Sequence, residues 1–151
     1  MNQENAKRIG VKKAFKSVTI ALVVAYLIMV LFSAGDFLWI LDFNYKINIL
    51  IGILIVYGLA YFFGGKAGYE ILIKKKDSEK IGAKYAIIIL MITAFLVGWT
   101  GFLQEGMEIN DTFWDSFEDY IFKPLFWIIA FGIIPTIIIG IFFGNSIKRN
   151  S

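Results

Sequence analysis

Long uncharged apolar segments alternate with short charged ones along the whole chain. Four such segments cover residues 17–35, 47–65, 85–104 and 124–146. Each has about the twenty residues that a helix needs to cross a hydrocarbon core of roughly 30 Å. Apolar and polar residues do not alternate within them, as they do in the strands of a membrane barrel. The pattern predicts an all-α integral membrane protein of one domain, with four transmembrane helices packed as two tandem hairpins in a small bundle.

A shorter amphipathic pattern lies between the third and fourth segments. Aromatic and apolar residues recur there at three- and four-residue steps, which predicts a helix over residues 112–122 lying on the membrane surface. Thr112 followed by Asp115 is typical of a helix start. The other face of this helix is acidic and could dock a basic partner, the simpler alternative being a solvated surface. The residues of this possible docking face are Asp111, Asp115, Glu118 and Asp119.

Small residues recur every four positions in three of the apolar segments. Such spacing places them on one helix face, where backbones can approach closely even though lipid supplies no hydrophobic drive for association. We expect these faces to form helix contacts, either within one bundle or between subunits. The residues are Ala60, Gly64 and Gly68, then Ala94 and Gly98, then Thr136, Gly140 and Gly144. Pro135, in the middle of the fourth segment, predicts a kink.

Short matches also link the two halves of the chain. Sliding one half over the other aligns Gly64 with Gly144 at one offset and Asp36 with Glu105 at another. The matches favour a tandem duplication of one helical hairpin, with chance similarity between apolar sequences as the alternative. A duplication would give two hairpins of the same orientation, related by an axis along the membrane normal.

The charged residues are sorted by position. Thirteen of the fifteen Lys and Arg lie at the N-terminus, between residues 66 and 84, or after residue 147, and eight of the twelve carboxylates lie in the two remaining gaps. Lys and Arg are retained on the cytoplasmic side of a bilayer. The pattern therefore predicts a multi-pass protein with both termini in the cytoplasm. Compact loops and a composition rich in Ile, Lys and Asn indicate the bacterial inner (cytoplasmic) membrane.

The first segment has a second interpretation. A basic start, an apolar run over residues 18–32 and the small residues 33–35 also fit a secretory signal with its cleavage site. The bulky Tyr26, Met29 and Phe32, and the part this segment plays in the possible repeat, favour a retained helix. Cleavage would leave three spans whose direction is unchanged.

The amino-acid composition restricts the classes of partner and of chemistry that we expect for this chain. Hydrophobic residues make up 58% of the chain, above the roughly 45–50% of soluble proteins. The net charge of +3 comes from residues that flank apolar segments, so the lipid bilayer is the expected partner and nucleic acid is not. The chain has no Cys and no His, which excludes disulfides, thiolate chemistry and imidazole catalysis. We expect no cofactor and no metal ion.

No segment carries a charged residue near its centre, which argues against a proton- or cation-coupled carrier. Asp36 and Glu105 are the only candidate acid pair, and we do not expect an enzyme. The leading hypothesis is a non-enzymatic subunit that acts through helix association, with copies of itself or with another membrane protein. Two alternatives stay open: a small channel or carrier formed by the duplicated hairpin and, by layout alone, a four-span immunity-type protein.

Overall fold

The computed structural model describes residues 1–38, 46–105 and 112–149, apart from the side chains of residues 46, 104 and 105. These residues form helices and turns without any strand. In chain order the helices are α1 (Gln3–Phe32), α2 (Lys46–Leu72), α3 (Ser78–Glu105), the short α4 (Phe113–Phe117), a π-helical segment (Glu118–Phe122) and α5 (Lys123–Lys148). Four helical stretches are long and apolar enough to span a membrane. The predicted all-α, four-span fold is confirmed.

The helices extend beyond the apolar segments that predict them. α1 is 30 residues long, about 45 Å, and begins within the basic stretch at the N-terminus. The side chain of Asn2 caps it by accepting a hydrogen bond from the backbone N–H of Glu4, 3.1 Å away. α3 likewise begins at Ser78, before the predicted residue 85. Helix therefore begins about four turns earlier in α1, and about two turns earlier in α3, than hydropathy alone indicates.

The segment predicted as a surface helix, residues 112–122, is helical from Phe113 and continues into the fourth span. Thr112 caps its start: the hydroxyl accepts from the N–H of Asp115, and the Asp115 carboxylate accepts from the N–H of Thr112. The π-helical segment then precedes Pro124, which has no N–H and would crowd a carbonyl of the preceding turn in a regular α-helix. The helix runs on into α5, since Phe113–Lys148 forms one helical stretch, and its position on the membrane surface stays a prediction.

The long helices pair as two hairpins. α1 packs along α2 and α3 packs along α5, while contacts between α2 and α3 and between α1 and α5 join the pairs. α1 and α3 begin, and α2 and α5 end, at the same end of the bundle, which we call the basic end. The main apolar core lies in the half nearest to it and consists of Ala6, Ala14, Val18, Ala60, Ala67, Ile71, Leu72, Ile81, Tyr85, Phe143 and Ile147.

The opposite half, which we call the open half, buries fewer side chains. Leu31 near the end of α1 is 78% exposed, and Leu103 near the end of α3 is 75% exposed. Two rings in this half, Phe32 and Phe131, meet edge to face at 5.0 Å between centroids and join α1 to α5. The bundle is therefore held most closely at its basic end.

Candidate functional sites: helix crossings and the basic end

α1 and α2 cross at small residues near the basic end, where their backbones touch. A Cβ atom on Gly10 would lie 2.8 Å from the Cα and N atoms of Gly68. One on Gly64 would lie 2.5 Å from the Cβ atom of Ala14. These distances leave no room for a methyl group, so the close approach depends on the absent side chains. Ala6 is fully buried and extends the small face of α1 by one turn.

α3 and α5 cross in the same way. A Cβ atom on Gly82 would lie 2.7 Å from the N atom of Gly144, and one on Gly140 would lie 2.8 Å from the Cβ atom of Ala86. Gly144 lies directly against the carbonyl group of Ser78, the first residue of α3. In each hairpin, three successive small residues of the first helix touch the second helix through backbone or Cβ atoms: Ala6, Gly10 and Ala14 in α1, and Ser78, Gly82 and Ala86 in α3.

The two crossings have the same layout. Gly64 occupies in the first hairpin the place of Gly140 in the second, and Gly10 occupies the place of Gly82. The sequence alignment paired Gly64 with Gly144 instead, one helical turn away. That alignment rests on matching Ile and Phe residues, whereas the helix contacts are made by the small residues. Tandem duplication stays a hypothesis, with this corrected register.

Sequence reasoning missed the small residues on α1 and α3 that complete both crossings. Ala6, Gly10 and Ala14 lie among basic residues before the first apolar segment, where the charge pattern predicts only a cytoplasmic flank. The stretch that contains Gly82 has the same basic character. The available signal was the four-residue spacing itself, which continues into the charged stretches.

The remaining predicted packing residues lie in other environments. Ala60 is fully buried in the main core, and Ala94 is buried on α3. A Cβ atom on Gly98 would lie 3.2 Å from the carbonyl oxygen of Tyr120, so Gly98 packs on the π-helical segment. α5 runs through Pro135 as continuous helix, and the predicted kink there stays a prediction.

The described residues of the predicted acidic docking face have partners within the chain. Asp111 lies outside the described residues. Asp115 belongs to the cap of α4, while Glu118 lies 3.7 Å from the ammonium group of Lys123, which also pairs with Asp119. Within the described ranges, no group of three acidic side chains is placed to hold a metal ion. Docking on this face stays a prediction.

A hydrogen-bond network at the basic end joins the two hairpins. Glu70 of α2 accepts a hydrogen bond from the hydroxyl of Tyr85 of α3 and another from the ammonium group of Lys76, each at 2.9 Å. Tyr85 is only 5% exposed and also packs its ring against Phe63. The carboxylate therefore satisfies a buried donor, which would be costly to leave unpaired.

A second network joins the start of α3 to the end of α5. The hydroxyl of Ser78 donates to the side-chain oxygen of Asn145 at 2.9 Å, and the Asn145 amide donates to Glu79 at 3.1 Å. Asp77 caps α3 by accepting from the backbone N–H groups of Glu79 and Lys80, and these hydrogen bonds lower the pKa of Asp77 below its ordinary value. A cavity of about 350 Å³ opens beside these residues.

The centre of the bundle holds a smaller cavity of about 100 Å³, lined by all four long helices. Its walls are apolar apart from the hydroxyl side chains of Ser17 and Thr136. Hydroxyls of this kind can bond to carbonyls of their own helix. The cavity therefore offers little to stabilise an ion or a chain of water molecules.

Comparison of the chain with protein-family models, curated proteins and solved structures finds no match. Function must therefore be inferred from the geometry. That geometry comprises two close glycine crossings, an apolar centre, and polar networks beside a cavity at the basic end. At the basic end the carboxylates of Glu70, Asp77 and Glu79 accept hydrogen bonds from neighbouring groups, an arrangement that holds helix ends together.

Proposed function

We propose that this small membrane protein is a non-enzymatic subunit that acts through helix association, in the bacterial cytoplasmic membrane with both termini in the cytoplasm. The observation that carries the proposal is the apolar centre of the bundle. A conducting pathway requires polar groups that replace the hydration of its solute. The central cavity supplies two hydroxyl groups, on Ser17 and Thr136, and is small. This favours association over the channel or carrier alternative.

The open half supplies the surface for association. The glycine faces are already used inside the bundle, so they are not available to a partner. On α5, Phe126 and Trp127 are each 56% exposed, and the rings of Trp127 and Phe131 stack at 5.5 Å. Rigid aromatic side chains are enriched in protein interfaces, because they contribute large contact areas at a low entropy cost.

Photo-crosslinking compares this surface with a matched position on the same helix. A benzophenone side chain is placed at Trp127, in the open half, or at Phe142, which is 70% exposed near the basic end. We expect the probe at Trp127 to capture one protein in a band of defined mass, either a second copy or the membrane protein that co-purifies with the unmodified chain. The probe at Phe142 is expected to capture lipid only. Equal labelling patterns at both positions would contradict association through the open half.

A measurement of solute flux tests the channel or carrier alternative directly. Purified protein in liposomes is expected to release no more of an ion or a small neutral solute than empty liposomes do. Flux that falls when Thr136 is replaced by Leu would support the channel or carrier and would overturn the proposed function. The control is replacement of Ser146, which is not among the residues that line the central cavity and whose hydroxyl donates to the carbonyl of Phe143 on its own helix.

A further inference from the structure

The cavity at the basic end combines an apolar wall with charged groups. Ile71 and Leu72, at the end of α2, form the apolar wall. The other lining residues come from the α2–α3 turn, the start of α3 and the end of α5, and they are Lys75, Lys76, Asp77, Ser78, Glu79, Asn145 and Lys148. Its volume of about 350 Å³ lies within the range of small-molecule sites, about 300–1,000 Å³.

The three consecutive lysines of the α2–α3 turn have different surroundings. The ammonium group of Lys74 lies 5.3 Å from the ring centroid of Tyr69, and that of Lys76 pairs with Glu70. Lys75 has a left-handed backbone conformation, with φ of 54°, and its side chain lines the cavity. Among the described residues, Lys75 forms no ion pair.

The carboxylates of the cavity are engaged by neighbouring donors. Asp77 accepts two backbone hydrogen bonds from the first turn of α3, and Glu79 accepts from the amide of Asn145. Lys75, from the turn, and Lys148, from the end of α5, bring positive charge to the cavity from two different elements. With Lys76 the lining has three ammonium groups against the two carboxylates of Asp77 and Glu79, so its net charge is positive. These groups suit an anion.

We propose that the basic-end cavity binds a phosphate group, carried either by an anionic phospholipid or by a soluble phosphate compound. Phosphate oxygens accept hydrogen bonds from ammonium groups, and basic pockets between helices at the membrane surface bind lipid headgroups. The apolar wall at Ile71 and Leu72 lies beside the charges, as the glycerol and first acyl carbons of a phospholipid would require. This proposal does not depend on the proposed function.

Lipid binding to the full-length protein in detergent micelles, measured by native mass spectrometry, tests the proposal. The probes are phosphatidylglycerol, phosphatidylcholine and inorganic phosphate. The cavity variant carries Lys75→Gln with Lys148→Gln. The control variant carries Lys12→Gln with Lys16→Gln, which removes the same charge from exposed positions on α1 outside the cavity.

We expect the cavity variant to bind phosphatidylglycerol about 30-fold more weakly than the unmodified chain, since each lysine near an anionic headgroup contributes about 1 kcal/mol. The control variant should change binding less than 3-fold. A loss of roughly 1 kcal/mol would change it about 5-fold. Phosphatidylglycerol should also raise the unfolding temperature of the unmodified chain and the control, but not of the cavity variant. This second readout separates lost binding from lost folding.

Competition between inorganic phosphate and phosphatidylglycerol identifies the source of the phosphate group. If millimolar inorganic phosphate displaces phosphatidylglycerol and alone raises the unfolding temperature, the natural ligand is a soluble phosphate. If it does neither while the lipid binds, the ligand is the phospholipid headgroup. If the cavity and control variants lost equal amounts of phosphatidylglycerol binding, the lipid would be attracted by the overall charge of the basic end, and the proposal would be overturned. Binding of both lipids that neither variant changes would also overturn it.

Discussion

Alanine at Gly82 or at Gly68 is expected to lower the free energy of unfolding by about 3 kcal/mol, the upper end of the usual cost of overpacking. The added methyl group would meet backbone atoms of the partner helix: the N atom of Gly144 at 2.7 Å in one case, and the Cα atom of Gly10 at 2.9 Å in the other. Backbone atoms cannot move aside as a flexible side chain can. The measurement is the unfolding midpoint in a titration of micelles with sodium dodecyl sulfate.

Matched glycines on the same two helices provide the control. A Cβ atom on Gly101 of α3 or on Gly58 of α2 would have no neighbour within 4 Å. Alanine there should leave stability unchanged or raise it, since alanine favours a helix over glycine by up to about 1 kcal/mol. If alanine at Gly82 were tolerated as well as alanine at Gly101, the close crossing of α3 and α5 would be contradicted.

Replacing Glu70 by Leu is expected to cost about 2 kcal/mol of stability, because it removes the acceptor of a buried hydroxyl. The Tyr85 side chain would keep its O–H group among apolar neighbours with no acceptor at the place of the lost carboxylate. The pair of Glu70 with Lys76 adds little, since Lys76 is about half exposed. Unfolding of the variant in micelles measures the loss.

A double-mutant cycle separates the hydrogen bond from general damage. Tyr85→Phe alone should cost about 1 kcal/mol, the net value of a typical hydrogen bond. Combined with Glu70→Leu, it should cost less than the two single changes added together, because the orphaned donor is gone. Glu70→Gln keeps an acceptor and should be milder than Glu70→Leu. Strict additivity of the two changes would contradict the link between the hairpins.

The number and kind of the long helices could be predicted because a membrane restricts the possible structures. Apolar segments of about twenty residues leave the helix as the simplest way to satisfy every backbone group in lipid. Helix ends were less predictable. The first turns of α1 and α3 are held by capping and by contacts of Ala6 and Ser78, which hydropathy does not register.

Only one of the two helices at each crossing could be predicted from the sequence to take part in it. Gly64 and Gly140 lie in apolar segments, where small-residue spacing is familiar, while their partners on α1 and α3 lie among charged residues. The basic-end cavity could not be predicted. It depends on the left-handed conformation of Lys75, where no glycine marks the turn in the sequence, and on how far α5 extends past Asn145.

We infer that all four long helices cross the bilayer as two hairpins with their basic ends together in the cytoplasm. Since the chain has no Cys, single cysteines can report it in intact cells with a membrane-impermeant maleimide. Asp36→Cys, in the turn after α1, should react at once. Lys7→Cys, Lys74→Cys and Arg149→Cys should react only after the membrane is permeabilised. Reaction of Lys7→Cys and Arg149→Cys from opposite sides of the membrane would contradict the account.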